Sequence, residues 1–375
     1  MPTGQIWRKF DLVILVIVLL LVTLGIAMIR SANLETPDLA DLWRKQANFA
    51  AVGLVIFFLV AAIPYQWLKD VWWVGLLLQV GLLVLVLFIG ESEIGDVRRW
   101  FFIGTFRLQP SFLAFLFYIV SMAGILDYRS PRDHRVEGEE RGWGDPPNGR
   151  LYLLSGAQAL LTAVLVFLEP DMSTAVVFMV IWVALAFISE VHIGYLLATG
   201  AAAVVALFPL WQVMKPYQRD RVLTFLNPAR DPAALYNIDQ ARISIGSGGL
   251  WGQGYGIGTQ SQLHFLRVRH TDFIFSVVGE ELGFIGTVLL LGLFVLLGWR
   301  IFRAALLARD RFGRMLVVGV GTMIFFQVIV NVGMNLGLLP VTGLPLPFVS
   351  YGGSSLLTFF TAMGLVEGVA MRRKE

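Results

Sequence analysis

The 375-residue sequence contains no cysteine. That excludes disulfides, thiolate zinc sites and iron–sulfur clusters. Charge is scarce: Asp, Glu, Lys and Arg make up 15% of the chain, against about 25% in soluble domains. The net charge is only +3, so the polyanion-binding signature is missing and nucleic acid is excluded as a partner. Four histidines (His134, His192, His264 and His270) lie scattered, without the paired spacing of a metal site. What is abundant is apolar. Hydrophobic residues reach 57% and the mean hydropathy is +0.73, where about 45–50% apolar is usual. Such a chain is a membrane protein.

A helix crosses the bilayer core with about 20 mostly apolar residues. Runs of that kind fall at 11–29, 47–63, 71–90, 109–126, 151–168, 172–189, 191–213, 273–299, 315–338 and 346–366. The sequence thus predicts an all-α polytopic fold with ten spans in one integral membrane domain, residues 1–375. The first run follows Arg8 and Lys9 but is too long for an ordinary signal-peptide core, so it reads as an uncleaved first span. Ten spans put both termini on one side. The basic clusters at Arg8-Lys9, Arg129–Arg150, Arg300–Arg314 and Arg372-Arg373-Lys374 all fall on that side, which is therefore expected to be cytoplasmic. The polar 127–150 stretch is expected to be a solvated cytoplasmic loop and the most flexible segment.

The opposite side carries segments 91–108 and 339–345 and a long loop, 214–271. That loop is too rich in aromatic and aliphatic residues to be disordered: it holds "YQRDRVLTFLNPARDP" and "YNIDQARISIGSGGLWGQGYGIGTQSQ". Short amphipathic helices on the outer leaflet, joined by glycine turns, are expected there. The glycine run Gly246–Gly258 lacks the strand–loop–helix setting of a nucleotide site. It reads as tight turns that let backbone approach a lipid-linked ligand, or as a backbone nest for a pyrophosphate.

Several motifs carry two readings each. In "DVRRWFFIGTFRLQP", Arg98, Arg99 and Trp100 suit interfacial anchoring and equally a guanidinium clamp for phosphate. In "FLEPDMSTA", Glu169 and Asp171 sit between the fifth and sixth spans, as helix caps or as functional carboxylates. "GLLPVTGLPLPFVSYGGSS" breaks a helix with Pro340, Pro345, Pro347, Gly352 and Gly353 inside an apolar stretch. Broken backbone at membrane depth points to a cavity, with Ser350, Ser354 and Ser355 as candidate lining. "RHTDFIFSVVGEELG" puts Asp272 at the entrance to the eighth span. If 272–283 is helical, Glu280 and Glu281 lie about 12 Å or more along the axis and cannot pair with it. Asp272 is then a solitary carboxylate. It is either an N-cap or first-turn acid, or a base that takes a proton from a hydroxyl while cationic groups hold an anionic leaving group.

Over nearly its whole length the chain resembles the SEDS family (shape, elongation, division, sporulation). The resemblance rests on "RRWFFIGTFRLQPS", "EPDMSTA" (against a QPDLGTA-type motif), the two outer-loop segments, "HTDFIFSVVGEELG" and "NVGMNLGLLPVTGLPLPFVSYGGSS". The wording PVTGLPLPF favours the elongation branch. The resemblance implies a GT-C-like membrane fold and a peptidoglycan glycosyltransferase. Such an enzyme polymerises lipid II at the outer face of the bacterial cytoplasmic membrane, releases undecaprenyl pyrophosphate and works with a class B penicillin-binding protein. It implies Asp272 as the catalytic general base. It also raises Arg99, Gln109, Asp171, Arg219, Gln240, His270, Thr271, Ser350 and Ser354 as substrate-groove residues. A divalent cation, magnesium or manganese, is admitted at the leaving group, although no ligand motif marks one; no organic cofactor is implied.

Two departures stand out. The family usually reads QPSE with a lysine three residues on, whereas this chain has Phe112 and Phe115. Replacing both charges together suits a swap of an ion pair for an apolar one. The family's LPERHTD is here Leu266-Arg267-Val268-Arg269-His270-Thr271-Asp272; added positive charge is expected to lower the Asp272 pKa. A lipid-linked sugar flippase and a catalytically weakened scaffold are the competing readings.

Overall fold

Unbroken runs of Leu, Val, Ile and Phe satisfy every backbone group internally only as helices, and helices are what the apolar segments become. The computed structural model describes residues 7–91, 99–104, 106–127, 149–189, 191–227, 232–263, 265–266 and 268–373. The spans, in chain order, are α1 (Leu12–Ala32), α2 (Leu42–Ala62), α3 (Trp72–Ile89), α4 (Pro110–Asp127), α5 (Gly149–Leu168), α6 (Met172–Ile188) and α7 (Ile193–Val213). Three short helices follow: α8 (Pro216–Leu226), α9 (Pro232–Ser247) and α10 (Thr259–Gln262). The chain ends with α11 (Ile274–Leu306), α12 (Arg311–Asn335) and α13 (Gly353–Met371). Among the described residues nine helices have the length and apolarity to cross a membrane, and α6, at 17 residues, is the shorter tenth. Before α4, β1 (Phe101–Ile103) and β2 (Phe106–Leu108) form an antiparallel hairpin with Phe101 opposite Leu108. Most of the 127–150 stretch lies outside the described residues.

Helices α4, α12 and α13 form the centre and are buried along most of their length. α13 packs on α2, α12 on α4, α6 and α11, and α3 on α4. α7 stands at the rim with no buried residue.

Two spans depart from the ranges the sequence predicts. The tenth, expected over 346–366, becomes helical only at Gly353. Residues 338–352 run as irregular chain, because Pro345 and Pro347 donate no backbone hydrogen bond. The eighth is broken. A 33-residue α11 would be about 50 Å long, well beyond a bilayer core of about 30 Å. Gly283, at φ 66° and ψ −163°, interrupts it. Residues 274–282 therefore form a short, mostly buried helix above the membrane-crossing part, and the apolar span proper begins at Phe284.

The glycine-rich loop docks into that break. The carbonyls of Glu280 and Glu281 accept from the backbone N–H groups of Gln253 and Gly254 (2.9 and 3.1 Å). In return, Phe284 and Ile285 donate to the carbonyls of Gly249 and Leu250 (2.8 and 3.2 Å). A Cβ on Gly248 would stand 1.9 Å from the Gly279 carbonyl oxygen, and one on Gly252 2.1 Å from that of Glu281. Gly248 and Gly252 are thus explained by approach to the protein's own backbone, where the sequence suggested approach to a ligand. α9 packs against α11 as part of the same assembly.

Candidate active site

Asp272 sits where α11 begins, and the local backbone shows what caps that helix. The N-cap residue is Phe273, with no side-chain capping bond. The first-turn N–H of Ser276 is instead taken by Oδ1 of Asn335 (3.2 Å), which also accepts from Ser276 Oγ (2.6 Å). An asparagine from α12 therefore does the capping that the sequence offers to Asp272.

The same helix holds the aspartate's main chain. Nδ2 of Asn331 and Nδ2 of Asn335 both donate to the Asp272 carbonyl (3.1 and 3.0 Å), and Asn331 also donates to Leu344 (2.9 Å). One residue back, the Thr271 carbonyl accepts from Ser350 Oγ (2.6 Å). One further back, the His270 carbonyl accepts from the N–H of Tyr351 (2.9 Å). Three successive carbonyls are thereby pinned by α12 and by the irregular chain before α13. That chain is itself clamped. Gln46 of α2, fully buried, donates to the Ser350 carbonyl (3.1 Å) and accepts from the N–H of Gly352 (3.2 Å). The Asp272 carboxyl lies against the turn at Gly343, where an added Cβ would meet Oδ2 at 3.9 Å.

The His270 ring packs edge-on to Tyr351, 5.9 Å between centroids. Burial, with the Arg269 charge nearby, lowers its pKa to about 4, so the imidazole is neutral near pH 7. Arg269 reaches away to the C-terminal end of α1, donating to the Ala32 carbonyl and to Thr36 Oγ1. Its guanidinium is therefore spent on a helix C-terminus rather than aimed at the aspartate. Arg267 lies outside the described residues.

A second cluster forms beside the first. Arg99 donates through Nε to the Glu169 carbonyl (2.8 Å) and through Nη2 to that of Pro170. Asp171 caps α6, accepting from the N–H of Thr174 (3.2 Å), and accepts from Gln109 Nε2 (3.1 Å). Capping and polar clustering thus coexist in one side chain. The N–H of Gln109 donates to Ser354 Oγ, which donates to the Arg107 carbonyl (3.1 and 2.7 Å). Ser173 Oγ donates to the Thr342 carbonyl (2.9 Å). Residues 342–354 therefore join the two clusters: they touch Ser173 at one end, Asp272 and Thr271 in the middle and Gln109 at the other.

Of the residues singled out in the sequence, His270, Thr271, Asp272 and Ser350 come together, as do Arg99, Gln109, Asp171 and Ser354. Arg98 lies outside the described residues. Arg219 is engaged elsewhere, and Gln240 lies on α9, outside both hydrogen-bonded clusters. Arg219, on α8, donates to the Gln212 carbonyl and stacks over Trp211, and the Gln240 carbonyl on α9 accepts from Ser244. Ser350, Ser354 and Ser355 are buried and bonded within the protein. A cavity of about 370 Å³ lies between α2, α3, α4 and α13, lined by Val60, Leu78, Leu116, Phe117 and Leu365 among others. Asn331 and Asn335 were missed; two asparagines at i and i+4 on an apolar span were the available signal. Phe112 and Phe115 pack edge-on at 5.9 Å, with Phe178 and Phe359 around them, as expected of an apolar pair in place of charges. Among the described residues no three His, Asp or Glu side chains gather as metal ligands.

Residues 11–375 match the family model of the cell cycle proteins FtsW, RodA and SpoVE. The chain is 36% identical over 374 residues to the peptidoglycan glycosyltransferase MrdB of Escherichia coli K12, covering 98% of this chain and 96% of that protein. It is 35% identical over 372 residues to a probable peptidoglycan glycosyltransferase FtsW of Trichlorobacter lovleyi, covering 96% and 93%. Among solved structures, it resembles the rod shape determining protein RodA of Thermus thermophilus with a TM-score of 0.70 and 31% identity, covering 98% of this chain and 99% of that one. It also resembles a chain of a peptidoglycan synthase complex that coordinates polymerization and crosslinking, with a TM-score of 0.79 and 32% identity over 98% and 99%.

Proposed function

The chain belongs to the FtsW/RodA/SpoVE family, and from that membership we propose that it is a peptidoglycan glycosyltransferase serving cell shape, with Asp272 as its general base. The substrate is lipid II. Asp272 takes the proton of the acceptor sugar's 4-hydroxyl as that oxygen bonds to the donor's anomeric carbon. The carbon–oxygen bond to the pyrophosphate breaks on the opposite face, with inversion, and undecaprenyl pyrophosphate leaves. Nothing on the protein is consumed; the proton passes on to solvent.

The observation that carries this reading is the triple pinning of the 270–272 carbonyls. A base needs a fixed position more than a strong pKa, because proton transfer works only within hydrogen-bond reach. Asn335 relieves the aspartate of capping, and α12 holds its backbone. In the neighbouring cluster the remaining N–H groups of Arg99 and Gln109 are donors for phosphate or sugar hydroxyls, and the Asp171 carboxylate is an acceptor for a hydroxyl. The basic clusters support a cytoplasmic location for both termini, which puts Asp272 at the outer face. A class B penicillin-binding protein is the expected partner, supplying the transpeptidase.

The test is polymerisation of purified lipid II. Asp272→Asn is expected to abolish glycan ladders while leaving membrane insertion and thermal unfolding unchanged. Full-length ladders from the folded variant would remove Asp272 from the mechanism. Translocation of labelled lipid II by the parent chain in liposomes, with no lengthening, would replace the polymerase reading with a flippase.

A further inference from the structure

The loop that closes the break in α11 continues from Leu250 to Ile257, and its side chains point outward. Trp251 is 80% exposed, Ile257 66%, Leu250 64% and Tyr255 46%. Large apolar groups on a rigid backbone in water would be an association hazard. The loop's height in the molecule says what surrounds them.

Two sets of bonds set that height. At one end, the carbonyls of Gly249 and Leu250 accept from Phe284 and Ile285, the first residues of the apolar span, and Phe284, Val288 and Leu289 are exposed on the bilayer-facing side of α11. At the other end, Tyr255 donates its hydroxyl to the Ala27 carbonyl (3.0 Å). Ala27 lies five residues before the end of α1, or about 7.5 Å down that helix. Leu34 packs where a Cβ on Gly256 would stand. The loop therefore wraps the outer rim of α1 and α11 at a level where both helices have already entered the membrane. Its exposed apolar residues thus lie next to the exposed Phe284 of α11. Trp and Tyr are also the side chains favoured where headgroups meet acyl chains, because each has an apolar body and one polar atom.

We propose that Leu250, Trp251, Tyr255 and Ile257 form an interfacial anchor seated in the outer-leaflet lipid. The anchor grips the break in α11 through four backbone hydrogen bonds. It thereby fixes the height above the bilayer of the short 274–282 helix and of Asp272 at its start. A membrane-borne substrate presents its reacting sugars at a set height, so the anchor matches the protein to it.

The absence of cysteine permits a direct test on the full-length protein. Trp251→Cys and Ile257→Cys each carry a unique thiol for a nitroxide label, with Leu289→Cys as the lipid-facing reference. The labelled proteins are placed in phosphatidylglycerol–phosphatidylethanolamine vesicles, and collision with oxygen is compared with collision with a water-soluble nickel chelate. The expected result is a shift at both loop sites toward the oxygen-favouring ratio of the Leu289 site. Nickel access equal to that of the label in buffer, at either site in folded protein, overturns the proposal. So does nickel access that disappears only when a penicillin-binding protein is added, which would make the surface a protein interface.

Discussion

Glu169 is 1% exposed, and among the described residues neither carboxyl oxygen has a hydrogen-bond partner. Burial pushes its pKa up to about 9; the Asp171 charge adds to the rise and Arg99 opposes it. An unfolded glutamate ionises near 4.5, so folding takes up a proton between those values. The stability linked to this group is full below pH 4.5 and is lost as pH rises through 9. Glu169→Gln, which installs the residue of the QPD-type motif, should therefore match the parent below pH 4.5 and exceed it above. The gap should widen by at most about 1.4 kcal/mol per pH unit up to 9, read from thermal unfolding across pH. Asp272 was legible in the sequence as a carboxylate at a helix entrance. Whether it capped that helix was not legible, because the competing cap, Asn335, lies 59 residues beyond Ser276. Nor was it legible that α8 turns Arg219 toward the Gln212 carbonyl and the Trp211 ring.

The break in α11 and the loop seated in it form one element assembled from two distant segments, and its glycines are not equivalent. Gly249 has φ +55° and nothing within 4 Å of its missing Cβ, whereas Gly252 has φ +84° and backbone of Glu281 and Leu282 within 2.7 Å. Gly249→Ala should cost only the left-handed penalty, about 1–2 kcal/mol. Gly252→Ala should cost more than about 4 kcal/mol, because backbone atoms cannot give way. Thermal unfolding of the two variants reads the contrast directly. The sequence showed that glycines were required here but not what they approached, since the partner backbone arrives from a helix about 30 residues on. The aromatic pair on α4 belongs to the same scale. Phe115 is fully buried, 4.4 Å from the ring of Phe178. Phe115→Lys alone should lose about 3–5 kcal/mol by burying an unpaired ammonium. Phe112→Glu with Phe115→Lys should recover part of that loss, and the two melting temperatures check the order. If the double variant also polymerises faster, the aromatic pair limits the parent's activity.

Across the whole molecule, the ten apolar runs were readable because lipid leaves the backbone no alternative to helix. They were least accurate where the chain leaves that regime: at the eighth span, which starts inside protein, and at the tenth, which starts among prolines. The basic clusters make a topological prediction. Green fluorescent reporters fused at either terminus should fluoresce, and alkaline phosphatase inserted in the 214–271 loop should be active. Dark termini or inactive phosphatase would invert the orientation and put Asp272 on the cytoplasmic side.

Asn331 and Asn335 ride on α12, one turn apart, and both hold the aspartate by its main chain. Asp272 is therefore towed by that helix. A neighbour that tilted α12 within the lipid would move the proposed base relative to a bound substrate without touching either, and a displacement of about one ångström is enough to govern turnover. The throttle on such an enzyme would be mechanical, worked sideways through the membrane.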